Sequence, residues 1–398
     1  MTSSSTPAPN SIHSTVLLLS GAAFFSGAAM RVCDGLLPRL GRDFGLTAGA
    51  AGGVIFFFSI AYGLSQLVFG PLGDRFGKAR MMGLALLGCT GMSVAAALAA
   101  DFDLLLLARA GWGVAAAGVI PLAMAWIGDA VPYEERQPTL ARFSVGALTG
   151  MMVGQLLGGV FADSAAGWRG AFALMAAGYG LIGVLVLMRL SRIAAAAPAT
   201  GSGLAVFATQ LRTVLGQPWS WRVLGAAFAE GLLLLGPIAY LPALLHQRFE
   251  MSLSVASGLL ALFAAGGLAY ALLARRIVPV LGEARMVMVG GWMMGAGFLG
   301  WWLSPVGWTA GGVAFFVGFG TYLYHGTLQT HATQVAPTAR GTAVAIFAFC
   351  LFMGQAMGVG LAGFLLDHIG PWAMLVGPAL GLPLTAWLFA RALRQRDA

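Results

Sequence analysis

Charge is what this sequence most lacks. Of its 398 residues only 9% are Asp, Glu, Lys or Arg, while 59% are apolar and the mean hydropathy is +0.85. Soluble domains carry about 25% charged residues, so the deficit excludes a soluble globular chain and leaves an integral membrane protein. Asparagine is nearly missing too, the one example being Asn10. A sugar site needs amide and hydroxyl partners for a substrate covered in hydroxyls. The apolar runs offer little amide beyond Gln66, Gln155, Gln329 and Gln355, which argues against a sugar. The cysteines, Cys33, Cys89 and Cys350, are odd in number and lie inside apolar runs, so they imply packing and not a disulfide framework. There is no His-Glu-x-x-His run, and Gly77-Lys78-Ala79 lacks the Ser or Thr that would bring a hydroxyl to magnesium. Zinc proteolysis and ATP hydrolysis are therefore disfavoured, and no metal and no cofactor is expected.

What is present is length in apolar runs. Roughly twenty apolar residues cross a bilayer. Such runs lie near residues 16–37, 48–72, 81–100, 104–128, 141–162 and 170–190, and again near 221–245, 254–274, 286–304, 308–333, 342–366 and 372–391. The pattern predicts an all-α membrane protein of twelve spans in two six-helix bundles, 16–190 and 220–391. A linker is expected at 191–219, whose stretch 204–215 suits an interfacial helix, and tails at 1–15 and 392–398. The first fifteen residues are polar and carry no Lys or Arg. They lack a signal peptide's basic start and read as a disordered tail, with insertion through an uncleaved first span.

The excess positive charge, +8, sets orientation and does not call for nucleic acid, because the basic residues fall in short loops between spans. With the N-terminus inside, sixteen Lys or Arg face the cytoplasm, only Arg39, Arg42, Arg169 and Arg248 face outward, and Arg31 and Arg109 stay in the membrane. Both termini are thus expected in the cytoplasm. The halves echo each other. Gly154-Gln155 recurs as Gly354-Gln355, and Gly77-Lys78-Ala79-Arg80 as Gly282-Glu283-Ala284-Arg285, which suggests a duplicated bundle of the kind that holds a substrate site at the repeat interface. Pro279 stands where the first copy has Asp74, so the second loop reads as degenerate.

Five ionisable side chains lie well inside predicted spans: Arg31, Asp34, Arg109, Glu230 and His325. An unpaired charge at the bilayer centre costs at least about 2.5–3.5 kcal/mol, so such residues pair or line a wet cavity. At about 1.5 Å per residue, Asp34, Arg109 and Arg31 come out about 6, 9 and 10 Å from the outer end. By the same rise Glu230 and His325 both lie about 13 Å from the inner end. The first three are expected either to fix helices as structural pairs or to read a substrate. Glu230, alone in an apolar run, is expected to carry the proton, with Asp34 as the other candidate, and His325 to pack.

The loop Gly70-Pro-Leu-Gly-Asp74-Arg75-Phe-Gly77-Lys78-Ala-Arg80 resembles the Gly-x-Leu-x-Asp-Arg-x-Gly-Arg-Arg loop of the major facilitator superfamily, with Lys78 and Ala79 for the two arginines. Leu107-Ala-Arg109-Ala-Gly-Trp112-Gly113 resembles its span 4 motif, with Trp112 where Gln is usual. Gly150-Met-Met-Val-Gly154-Gln155-Leu-Leu-Gly158-Gly159 resembles its antiporter motif, with Gln155 for Pro. Further likeness at Leu37-Pro38, Asp43–Thr47, Asp129–Arg136 and Pro337–Thr342 extends it over nearly the whole chain. The resemblance implies a charge cluster of Asp74, Lys78 and Asp129 that steadies one state of an alternating-access cycle. It also implies a proton-linked Arg109 and a kinked, glycine-lined span 5 between the halves, though tight packing alone also explains these glycines. Spans 1, 4, 7 and 10 would line the cavity. With few polar groups there, the solute expected is small and amphipathic or lipophilic, exported from a bacterial-type inner membrane against protons by a monomer whose other partner is membrane lipid. An organic anion read by Arg31 and Arg109 is the alternative, and a lipid flippase or a transport-silent sensor a third.

Overall fold

A computed structural model describes residues 9–190 and 204–397. The expected tail residues 1–8 and 398 and the linker residues 191–203 lie outside the described residues. Helices dominate, and no strand occurs among the described residues. Ten stretches are long and apolar enough to cross a membrane. In order they are span 1 (Ser14–Arg31), span 2 (Ala48–Phe76), span 3 (Lys78–Ala97), span 4 (Phe102–Ala130), span 5 (Glu135–Asp163), span 6 (Gly167–Arg189), span 7 (Pro218–Phe249), the stretch Leu253–Leu303, span 11 (Pro337–His368) and span 12 (Pro371–Arg396). Leu253–Leu303 is two spans, 8 and 9, because its backbone breaks at Gly282, where φ is +67°, a left-handed conformation that glycine adopts at no cost. Thr309–Gln334 is span 10. Its 26 residues would reach about 39 Å, but its threonines, glutamines and histidines dilute its apolar character. The twelve-span, all-α fold expected from the sequence is the one observed.

Ends differ from expectation in two places. Helix begins at Pro9 and so takes in the part of the expected tail from Pro9 to Thr15. The last helix continues to Asp397, absorbing the expected tail at 392–397. Leu204–Leu215, within the expected linker, is helical, as its sequence suggested.

Two spans are broken where the charges sit. Span 1 stops at Arg31, and residues 32–36 turn tightly, with the Asp34 amide donating to the Arg31 carbonyl at 3.1 Å. Leu37–Phe44 then resumes helix from Pro38, a residue suited to a helix start. The expected continuous run to residue 37 is therefore interrupted. Gly35 lies in this turn because a side chain there would meet the Gly158–Gly159 backbone and Ser257. In span 7, residues Gly231–Leu235 form a π turn directly after Glu230, and the Gly236 amide donates to the carbonyl of Gly231, five residues back. Pro237 supplies the cause, since its ring and missing N–H disrupt the preceding α turn. Such π bulges occur often at functional sites.

The glycine motif of span 5 packs differently from its implied role. Tyr133–Asp163 runs as one uninterrupted helix through Gln155. Side chains added at Gly150, Gly154 and Gly158 would strike the backbone of Phe24, Ala28 and Val32 in span 1, within the same bundle; Gly159 alone of the set faces the other half, at Leu253 and Ser257. The second bundle repeats this, with Gly354 and Gly358 against Phe228 and Leu232 of span 7. Close backbone approach through small residues is what associates helices when lipid is as apolar as the side chains. Between bundles, span 5 lies along span 8 and span 11 along span 2.

Candidate functional site

Two buried ionic groups occupy the core, one from each bundle. In the first, Arg31 Nη1 donates to Asp34 Oδ2 at 3.2 Å, three residues on and across the break in span 1; both side chains are buried. Arg109 does not bond to Asp34. Its Nε donates to the Val54 carbonyl at 3.1 Å and its Nη2 to the Ala29 carbonyl at 3.4 Å. Its guanidinium lies 4.2 Å from the Phe58 ring centre and 4.9 Å from that of Trp112. Cation–π contact gains strength when desolvated, and this is the service Trp112 performs where an amide is usual. Arg109 Nη1 and Asp34 Oδ1 are buried without a partner. An unsatisfied buried polar atom costs about 1–3 kcal/mol, so each is a local cost to this arrangement of the helices.

In the second bundle, Glu230 of span 7 meets His325 of span 10, with His325 Nδ1 at 3.0 and 3.1 Å from the two carboxyl oxygens. His325 therefore does more than pack, which corrects the expectation for it. Exposure is unequal: the Glu230 side chain is 1% exposed and that of His325 21%, so the imidazole is the more accessible member of the pair. Among the described residues no other ionisable group is in ion-pair contact with Glu230. Tyr322, one turn before His325, lies within electrostatic reach of both Glu230 and Arg31 and stands between the two bundles' charges. Sequence reasoning missed it; its three-residue spacing from His325 was the available signal.

Space around these groups is graded along the axis. Beside Arg31, Met151, Gln155 and Phe263 a gap of about 20 Å³ remains, enough for one water, and Gln155 Nε2 is buried there unpartnered. At the end carrying Lys78, a larger cavity of about 290 Å³ opens between spans 2 and 11 and the helix Leu204–Leu215, lined by Gln66, Gly70, Asp74, Gln210, Arg340 and Thr342. Gly70 has open space around it, so its value is the room it leaves in this mouth.

The loop cluster forms. Lys78 Nζ is 2.5 Å from Asp129 Oδ2 and 4.0 Å from Asp74 Oδ1. Gly77 turns the chain with φ +90°, and Arg75 stacks over Phe76, 5.1 Å from its centre, without joining the cluster. The second loop lacks the first loop's acid, as expected, with Pro279 in the place of Asp74, yet it forms a contact of its own. Glu283 takes the place of Lys78, and His331, at the end of span 10, that of Asp129; His331 Nε2 is 2.8 Å from Glu283 Oε2. Arg396 Nη1 approaches His331 Nδ1 at 3.2 Å.

Comparison with known proteins places this geometry. The model of the Major Facilitator Superfamily matches residues 19–358, and the chain belongs to that superfamily. It is 22% identical over 362 residues, 91% of this chain and 92% of the other, to the uncharacterized MFS-type transporter YceJ of Bacillus subtilis. It is 30% identical over 165 residues to the multidrug resistance protein MdtG of Proteus mirabilis, a match covering 39% of this chain and 40% of MdtG. The solved structure of a D-xylose-proton symporter superposes with a TM-score of 0.76 at 17% identity, over 95% of this chain and 98% of that one, a likeness of fold alone.

Proposed function

We propose that this multi-pass transporter exports a small amphipathic or lipophilic solute in exchange for protons, by alternating access between its two bundles. The Lys78 end lies in the cytoplasm of a bacterial plasma membrane, and both termini are cytoplasmic. The observation that carries the reading is the Glu230–His325 pair. With one exchangeable proton the pair is electrically neutral, whether as carboxylate and imidazolium or as carboxylic acid and imidazole. Losing that proton, or gaining a second, leaves a net charge in a low-dielectric interior, which is costly. A solute taken up between the bundles near this pair would set that cost, and so a proton and a solute would exclude each other. The likeness to the multidrug resistance protein MdtG over the matched portion supports this reading.

The organic-anion alternative is less well supported, because Arg31 is neutralised by Asp34 and Arg109 is spent on carbonyls and two aromatic faces. A proteoliposome assay with an imposed pH gradient, run against lipophilic cations, neutral amphiphiles and organic anions, tests the proposal. Proton-driven flux of a cation or neutral amphiphile is expected. Anion exchange indifferent to pH would overturn it.

The loop cluster acts on the cycle and not on the solute. Asp129→Asn removes the closest partner of Lys78 and should slow turnover about three- to tenfold, while equilibrium solute binding in detergent stays within twofold. Lost binding with unchanged turnover would contradict this role. Orientation is checked by reporter fusions after Arg80 and after Asp103, which should report opposite sides of the membrane.

A further inference from the structure

The end of the molecule away from Lys78 carries a contact that the transport reading does not use. Asp163, at the last turn of span 5, reaches across the bundle interface to the start of span 8. Its Oδ2 accepts from the Ser254 amide at 2.7 Å and the Ser254 hydroxyl at 2.6 Å, and its Oδ1 from the Leu253 amide at 3.3 Å. Asp367, at the last turn of span 11, does the same in the opposite direction. Its two oxygens accept from the Gly49 amide at 3.1 Å each, and Oδ2 from the Thr47 hydroxyl at 2.7 Å, at the start of span 2.

These are one contact made twice. Asp367 follows Asp163 by 204 residues, and Leu253 follows Gly49 by the same 204. The glycine one turn earlier recurs at that offset as well: Gly159 packs on Leu253 and Ser257, and Gly363 on Gly49 and Tyr240. Both receiving helices also carry a side-chain N-cap, Thr47 bonding the Ala50 amide and Ser252 the Val255 amide, each at 3.2 Å. The opposite aspartates therefore satisfy amides that these caps leave free.

We infer that Asp163 and Asp367 form a matched pair of latches, each capping a helix of the opposite bundle, that hold this end shut. A carboxylate at a helix N-terminus is favoured by the unpaired amides and the helix dipole. Both aspartates are exposed, so water and salt weaken each contact, and it stays soft enough to break once per cycle. Because the two are related by the repeat, they close together, and separating the bundles here breaks both. No solute or proton enters the argument. It rests on the alternating-access part of the proposed function, and its failure would leave the coupling assignment standing.

The test is a distance measurement by pulsed electron spin resonance, without solute or pH gradient, between spin labels at two exposed positions of opposite bundles at this end, Arg42 in the helix Leu37–Phe44 and Val306 in the loop between spans 9 and 10. Asp163→Asn and Asp367→Asn should each raise the population of longer distances several-fold, and the double variant more than tenfold. Asp101→Asn is the control. Asp101 caps span 4 through the Leu104 amide at 2.8 Å, the same chemistry within one bundle, so its distribution should not move. Thermal unfolding in detergent accompanies each variant. A double variant whose distances match those of the parent, or an Asp101→Asn shift as large as theirs, overturns the latch.

Discussion

Glu230→Gln is expected to abolish pH-driven accumulation, lowering it at least tenfold to the level of protein-free vesicles, while downhill exchange of the same solute stays within a few-fold of the parent. Glutamine keeps the length of the side chain and can still hydrogen-bond His325, so the packing at the π turn survives. What goes is the one carboxylate in contact with His325, and with it the site's capacity to hold an exchangeable proton without net charge. His325→Gln should give an intermediate loss, because Glu230 would remain protonatable but without the more accessible imidazole beside it. Asp34→Asn should behave otherwise. It leaves Arg31 buried without its partner at 3.2 Å, and breaking a buried pair from one side costs about 3–5 kcal/mol. Its signature is therefore a lower thermal midpoint and lost solute binding, not uncoupled transport. Undiminished proton-driven flux in Glu230→Gln would move the coupling role to Asp34.

These two acids also show how far the sequence can be read. The spans, and the loop from Gly70 to Arg80, are legible because charge in an apolar chain is sparse and each exception marks a boundary or a cost. Depth counting placed Glu230 level with His325, and these two meet. The same counting placed Arg109 level with Asp34, and these do not bond, because depth says nothing about azimuth around a helix. The break beside Glu230 was hidden for a different reason. Pro237 causes it seven residues downstream, and a hydropathy run passes smoothly through both. The Glu283–His331 contact was not legible, because compared letter by letter the second loop shows only losses, Pro279 for Asp74 and Glu283 for Lys78, and the partner His331 lies 48 residues beyond Glu283. Asp163 and Asp367 directly follow apolar runs, where an acid is unremarkable. Only their shared offset with Gly49 and Leu253 would have shown them as a pair, and offsets become informative once the contacts are known.

The glycines of span 5 carry the last prediction, and they separate packing from the resemblance that first drew notice to them. Gly154→Leu should abolish the folded, monodisperse protein in detergent, or lower its thermal midpoint by an amount corresponding to more than about 3 kcal/mol, since overpacking costs about 1–3 kcal/mol even when side chains alone must move. Here the obstacle is backbone: a Cβ at Gly154 would strike Ala28, and no rotamer change can relieve it. Gly354→Leu should match it in size, as the second bundle's Gly354 meets the Phe228 carbonyl in the same way. Gly91→Leu provides the control. Nothing lies within 4 Å of a Cβ there, and leucine favours helix over glycine by nearly 1 kcal/mol, so that variant should hold or gain stability. If Gly154→Leu folded normally yet lost transport, the glycine would be serving movement between the bundles, as the family motif implies. The contact with span 1 inside one bundle predicts that folding fails first.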